Sequence, residues 1–224
     1  MLYALNEKEE KIKAIPKIKA ICPQCKNSVI SKCGEINIWH FAHENLEECD
    51  NFSEGETDWH LFWKNIIKKE FVEITIQISP DCKHRADIKI LNTVFELQNS
   101  PINPEQIRDR ENFYDNMVWI FNGNDFINNF DYNPKFNSNL SSWDSDAKPD
   151  YYSFRWKHPR KSLIHITKPF FIDFGSIIFH VKKFSLKPTG VGWGYKLTRY
   201  EFIKRYFKNY LSDEFTENGR LFND

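Results

Sequence analysis

Apolar and polar positions alternate from the start of the chain. Residues 2–5 are apolar, 6–10 are polar or charged, and 11–15 run Lys-Ile-Lys-Ala-Ile, which predicts a β-hairpin with Pro16 ending its second strand. Further on the period changes. Trp59, Phe62, Trp63, Ile66, Ile67 and Phe71 recur at three-to-four spacing, the mark of an amphipathic helix, and Ser53 with Glu56 reads as its capping box. Glu56, His60 and Lys64 fall at i, i+4 and i+8 and share one face of that predicted helix. An ordinary ladder of solvated ion pairs would give the same stripe. A strand is predicted over 72–78, with a turn at Ser79-Pro80-Asp81.

Residues 83–100 form two short strands in this pattern. Asp87, Lys89 and Leu91 alternate with Ile88 and Ile90, Asn92-Thr93 turns the chain, and Val94-Phe95-Glu96-Leu97-Gln98 is the second strand. Two carboxylates, Asp87 and Glu96, thus sit on paired strands beside large apolar neighbours. A buried carboxylate without a partner is costly, so the pair points to a shared cation. A hairpin whose polar face looks at water fits the same alternation.

Asn103-Pro104-Glu105 opens another helix, carrying Ile107, Arg110, Glu111 and Tyr114, and residues 117–121 are a continuous apolar run of the kind found in a strand buried on both faces. The order helix, three strands, helix, strand predicts a mixed α/β core whose last strand arrives by a helical crossover. Residues 124–150, rich in Asn, Asp and Ser, read as an irregular connector. From Tyr151 aromatic and basic residues intermingle. Strands are expected over 170–174 and 177–181, and Thr198 caps a final helix with Tyr200, Ile203, Phe207 and Tyr210 on its apolar side. Aromatics at that spacing are core more often than base-stacking platforms. The domain organisation expected is 1–50, 51–130 and 131–224.

Charge adds an asymmetry that the zero net charge hides. Lys plus Arg less Asp plus Glu is 17 − 25 = −8 for residues 1–150 and 14 − 6 = +8 for 151–224. An acidic part suited to metal beside a basic part suited to phosphate fits an enzyme acting on nucleic acid; two surfaces that attract each other fit it too. No apolar run reaches the length of a membrane span, and residues 1–7 have no basic segment followed by an apolar one, so a cytoplasmic protein with no membrane partner is expected.

The five cysteines suit a reducing compartment better than a disulfide framework. Cys22-Pro-Gln-Cys25 is a metal knuckle, and after 14 intervening residues comes His40-Phe-Ala-His43. These four residues make a structural zinc site, with Cys49 the alternate fourth ligand. Buried reduced thiols are the bland reading of the same residues.

Cys-Pro-x-Cys, His-Phe-Ala-His, Glu56-x3-His60-x3-Lys64, Arg85-Ala-Asp87 followed by Glu96-x-Gln98-x-Ser100, and Arg110-x3-Tyr114 ahead of Val118-Trp119-Ile120 occur in one order over residues 1–123. Together they resemble the competence protein CoiA-like family, a branch of the PD-(D/E)xK nuclease superfamily. The resemblance implies a restriction-endonuclease-like mixed sheet flanked by helices, preceded by a small zinc-ribbon or finger-like module and followed by a basic, aromatic-rich C-terminal region. It implies Asp87 and Glu96 as ligands of a catalytic Mg²⁺ or Mn²⁺, Gln98 as the third catalytic residue and Glu56 as an additional acid. Lys64, His60 and Arg110 are the candidate phosphate contacts.

The superfamily signature ends in Lys where this chain has Gln98, as the CoiA-like branch does. A neutral amide supplies no positive charge, so Lys64 or Lys89 is the candidate to provide one. The function expected is metal-dependent hydrolysis of DNA phosphodiester bonds. A non-cleaving DNA-binding or DNA-processing accessory protein on the same fold is the alternative, and a homo-oligomer or complexes with other DNA-processing proteins are the expected assemblies.

Overall fold

The computed structural model describes residues 1–35, 38–44, 49, 50, 52, 55–80, 82–134, 151–187 and 189–217. Ser53 and residues 135–150 of the expected connector lie outside the described residues. The chain divides into two compact units, 1–95 with 209–224, and 96–208.

The first unit begins with an antiparallel sheet of order β2-β1-β3-β4-β5, built from β1 (Tyr3–Leu5), β2 (Lys11–Lys13), β3 (Lys19–Ile21), β4 (Ser28–Lys32) and β5 (His40–His43). The predicted hairpin is there, with Ala4 opposite Ile12. The core of this module is thin. Ala4, Ala14, Ala20, Cys22, Val29 and Phe41 are its buried members, and mostly small side chains remove little apolar area from water.

Helix α1 (Asp58–Asn65) starts later than the expected capping box of Ser53 and Glu56 and ends before Ile66, Ile67 and Phe71. Thr57 takes the cap: its hydroxyl accepts from the backbone N–H of His60, and His60 closes the box from N3. Glu56 therefore precedes the cap instead of lying on the helix. Trp59, Trp63, Ile66 and Ile67 are buried as the period predicts. Strands β6 (Val72–Ser79), β7 (Cys82–Ile90) and β8 (Thr93–Gln98) follow as an antiparallel meander. The first unit holds β8 as far as Phe95, which pairs with Ile88. Returning residues close this unit, with Leu211 bridging Ile67 and the Ser212 hydroxyl donating to the Asn65 carbonyl at 2.8 Å.

The second unit starts at Glu96, inside β8. It adds α2 (Pro104–Tyr114), β9 (Met117–Asn122), β10 (Phe130–Pro134), β11 (Tyr152–Trp156), β12 (Phe170–Asp173), β13 (Ile177–Ser185), β14 (Gly190–Thr198) and α3 (Arg199–Tyr206). From the last residues of β8 the strand order is β8-β9-β12-β13-β14-β11-β10. The sheet is mixed, since β9 and β12 run parallel while β13, β14, β11 and β10 pair antiparallel. All six residues of β9 are buried, which accounts for its unbroken apolar run. Asn103 and Gln106 form the capping box of α2, with Pro104 in its first turn, and Thr198 with Glu201 caps α3. Helix α3 stops at Tyr206, so Phe207 and Tyr210 lie beyond it.

Two strands run against their local sequence. The connector expected over 124–150 begins instead with a 3₁₀ segment, Asn124–Asn129, and the strand β10. Strand β14 carries Gly190, Gly192 and Gly194, residues that ordinarily interrupt strands. Here they admit close neighbours. A Cβ on Gly192 would stand 1.9 Å from the Lys183 carbonyl oxygen and 2.6 Å from the Phe154 ring, and one on Gly194 would stand 2.1 Å from the His180 oxygen. The rings of Phe154 and Phe179 fill that space, meeting edge to face at 5.5 Å.

Candidate functional site

In the first unit three carboxylates converge on one ammonium. Lys64 Nζ, at the last turn of α1, lies 2.7 Å from Glu56, 3.0 Å from Asp87 on β7 and 3.1 Å from Glu73 on β6. The Lys64 and Glu73 side chains are buried, and Asp87 keeps 21% of its side-chain surface. Lys64 is the inward-pointing lysine that the sequence left open against Lys89. Burial opposes its charge, yet Asp87, Glu73 and Glu56 outweigh that and hold its pKa well above the ordinary value.

Glu73 is the member that the sequence did not announce. Between the pairs Val72 with Ile88 and Ile74 with Ala86, it falls level with Asp87, and its backbone takes φ +50°, rare for a residue other than glycine. Its carboxylate accepts the backbone N–H groups of Leu2 (2.8 and 3.0 Å) and Tyr3 (2.9 Å), tying β1 to this cluster. Burial alone would raise its pKa. Lys64 first, then the amino terminus and Arg85, bring it below the ordinary carboxylate range. A glutamate in an otherwise alternating strand at the foot of the helix that bears Lys64 is a faint signal; the left-handed backbone that turns it inward is tertiary.

His60 is buried at the helix start, with its Nδ1 2.8 Å from the Thr57 hydroxyl. The second unit holds the other sequence-marked residues. Glu96 and Gln98 are buried there, at 4% and 3% exposure. The Gln98 carbonyl oxygen accepts from Arg110 Nη1, and its Nε2 donates to the Ser100 carbonyl at 3.0 Å. Arg110 is itself buried, with its guanidinium 5.8 Å from the Trp119 ring centroid. Tyr114 is buried on α2.

The thiol and imidazole groups of the N-terminal module gather as Cys22, Cys25, His43 and Cys49, with all ligand atoms within 4.8 Å of one another. Cys22 Sγ to Cys49 Sγ is 3.7 Å and Cys25 Sγ to His43 Nε2 is 3.3 Å. A tetrahedral zinc site with ordinary bond lengths has edges of roughly 3.8 Å between sulfurs and roughly 3.5 Å between sulfur and nitrogen, so the donor set fits that ion. Burial, then Cys22, pushes the Cys49 thiol up, as expected of a thiol that needs a cation to ionise. His40 is outside the cluster. Residues three apart on a strand point to opposite faces, so β5 can aim only one of its two histidines at the knuckle; His40 Nδ1 meets the Ile38 carbonyl at 2.7 Å instead. Among the described residues this is the one group of three or more Cys, His, Asp and Glu side chains close enough to share an ion. Glu56, Glu73 and Asp87 gather around Lys64 instead.

The knuckle is built by its turn. The N–H of Lys26, a residue at φ +62°, donates to the Cys22 carbonyl at 3.0 Å, and the Gln24 N–H points at Cys22 Sγ from 3.4 Å. Next to Cys49, Asp50 accepts from the Arg85 N–H at 2.6 Å and meets His84 Nδ1 at 2.9 Å, while Phe52 stacks on the His84 ring at 3.6 Å. This anchorage on β7 has no spacing signature in the sequence.

Two family models match the chain. The N-terminal domain of competence protein CoiA matches residues 4–52, and the CoiA nuclease-like domain matches residues 60–192. The chain belongs to the competence protein CoiA family. No curated protein and no solved structure matches it. The CoiA N-terminal match contains the whole Cys/His cluster, and the CoiA nuclease-like match contains His60, Lys64, Glu73, Asp87, Glu96, Gln98 and Arg110. Glu56 lies between the two CoiA matches, although its carboxylate is on Lys64. Among the described residues no helix of this CoiA chain is long and apolar enough to cross a membrane.

Proposed function

We propose that this protein is a metal-dependent nuclease that hydrolyses DNA phosphodiester bonds, with a PD-(D/E)xK-type site. The observation that carries the reading is the buried Lys64 ammonium held by Glu73 and Asp87 of the nuclease-like domain, with Glu56 reaching it from just outside that match. Asp87 and Glu96 are assigned as ligands of Mg²⁺ or Mn²⁺, with Glu56 as the additional acid; carboxylate oxygens are the donors these hard cations take. Bound there, such an ion would activate a water and neutralise charge on the phosphate. Lys64 supplies the positive charge that Gln98 lacks, beside Asp87, where it favours an anionic nucleophile and the anionic transition state. Gln98 orients the water through its amide. The basic residues of 151–224 supply the charge that DNA phosphates require. The Cys/His cluster holds structural zinc, whose binding stabilises a module with a thin apolar core.

The test is cleavage of single- and double-stranded DNA with Mg²⁺ or Mn²⁺ by the wild type, Asp87→Ala and Glu96→Ala. Loss of cleavage in both variants, with folding retained, is expected; cleavage that persists in both overturns the assignment. One observation favours the accessory reading: Lys64 already neutralises part of the acidic cluster. Wild-type protein that retards DNA in a gel and cuts it with neither metal would establish that alternative.

A further inference from the structure

Two arginines far apart in sequence converge on the stretch from Gln98 to Ser100. Arg110, on α2, donates to the amide oxygen, and the amide nitrogen donates to the Ser100 carbonyl at 3.0 Å. Arg160 holds the backbone of the same stretch: its Nη1 lies 3.1 Å from the Asn99 carbonyl oxygen and 3.5 Å from that of Ser100. Asn122 adds a bond from Nδ2 to Asn99 Oδ1 at 2.8 Å. Each arginine is braced by an aromatic ring, Arg110 over Trp119 at 5.8 Å and Arg160 over Phe126 at 5.1 Å. Arg160 also meets Asp125 at 3.7 Å.

The amide of a glutamine has two orientations that differ by exchanging oxygen and nitrogen. Here they are far from equal. Turned over, Gln98 would present N–H groups to the Arg110 guanidinium and oxygen to the Ser100 carbonyl, a donor against a donor and an acceptor against an acceptor, in a site from which water is largely excluded. A guanidinium on the oxygen also polarises the amide and strengthens the hydrogen bonds its N–H groups make.

We infer that Arg110 and Arg160 are positioning residues that lock the orientation of the Gln98 amide, Arg110 directly and Arg160 through the Asn99 and Ser100 carbonyls. The inference rests on the assignment of Gln98 to the reaction. It removes Arg110 from the phosphate contacts: a buried guanidinium spent on Gln98 acts on kcat and leaves DNA affinity alone.

The experiment compares Arg110→Met, Arg110→Lys, Arg160→Met, Gln98→Ala and the Arg110→Met/Gln98→Ala double variant, each checked for folding by circular dichroism. Cleavage of linear DNA with Mn²⁺ and salt-dependent DNA binding are both measured. Arg110→Met is expected to lower kcat by about ten-fold or more with KM nearly unchanged, Arg110→Lys to recover part of it, and Gln98→Ala to cost little more once Arg110 is gone. Effects of Arg110→Met and Gln98→Ala that simply multiply would overturn the inference. So would a loss of DNA affinity in Arg110→Met with a salt slope shallower by about one, the mark of a lost phosphate contact.

The lock has a readout that needs no cleavage. In ¹⁵N NMR spectra the wild-type Gln98 side-chain NH₂ pair is expected to be dispersed and slow to exchange, and to lose both properties in Arg110→Met and, in part, in Arg160→Met. An unchanged NH₂ pair refutes the lock even if the wild type proves not to cut DNA; a changed pair in a protein that cuts nothing keeps the lock and sinks the nuclease reading.

Discussion

Replacing Lys64 by Met removes the ammonium and keeps most of the side-chain volume. Glu56, Glu73 and Asp87 would then face one another without the cation they share. Truncating one partner of a buried ion pair costs roughly 3–5 kcal/mol. The lower end applies here, because Glu73 keeps the Leu2 and Tyr3 N–H groups and Asp87 is partly solvated. In a domain of this size about 3 kcal/mol corresponds to a fall in Tm of roughly 10 °C.

The pH dependence supplies the sharper test. Glu73 has its pKa lowered on folding, so it contributes stability above the ordinary carboxylate pKa of about 4.3 and loses that contribution as pH falls through the lower folded value. Without Lys64 the lowering shrinks, and protonation relieves the repulsion among the three acids. The Tm difference between wild type and Lys64→Met is therefore expected to be largest near neutrality and to narrow on acidification. Thermal unfolding followed by circular dichroism between pH 8 and pH 4 measures it. A variant whose Tm stays within a degree or two of wild type at every pH would refute the reasoning, since Lys64 would then be an ordinary solvated pair.

The donor geometry predicts that purified protein carries one zinc ion, that Cys49→Ala loses it and that His40→Ala keeps it, as read by elemental analysis; the opposite pattern would restore His40 to the site. His180 stacks on Phe171 at 4.2 Å, and burial, followed by Lys182 and Arg205, lowers its pKa to about 4. Because the folded state disfavours the charged ring, its contribution is full above about 6.5 and is lost as pH falls toward about 4. An NMR titration of His180 is expected to show the low value, and a midpoint near 6.5 would rule it out.

Local pattern decided more of this protein than its site. The buried spacing of Trp59, Trp63, Ile66 and Ile67, the β7–β8 hairpin, the Pro104 helix start and the buried run of β9 were all legible, because burial imposes a period of 3.6 or 2 on residues close in sequence. The hairpin turns at Leu91-Asn92, one residue earlier than read, with Thr93 already paired to Ile90. The cysteine knuckle was legible for the same reason, as two ligands within one turn. The fourth zinc ligand was not: His40 and Cys49 both satisfy a spacing rule, and only the side of β5 that faces the knuckle separates them. Strand β14 was hidden by its own glycines, whose value lies in the carbonyls and rings they admit.

The residues around the sequence-marked acids were hidden most completely. Glu73 reaches Lys64 through a left-handed backbone, and Arg160 reaches the Gln98 segment across 61 positions in the chain. What the sequence determined by itself was the first hairpin, the order of the elements from α1 to β9 and the chemical types of the candidate ligands. Which charges meet, and which arginine holds which amide, was decided by how the strands and helices pack, because electrostatic and hydrogen-bond partners are chosen by distance in space and leave no period in the chain.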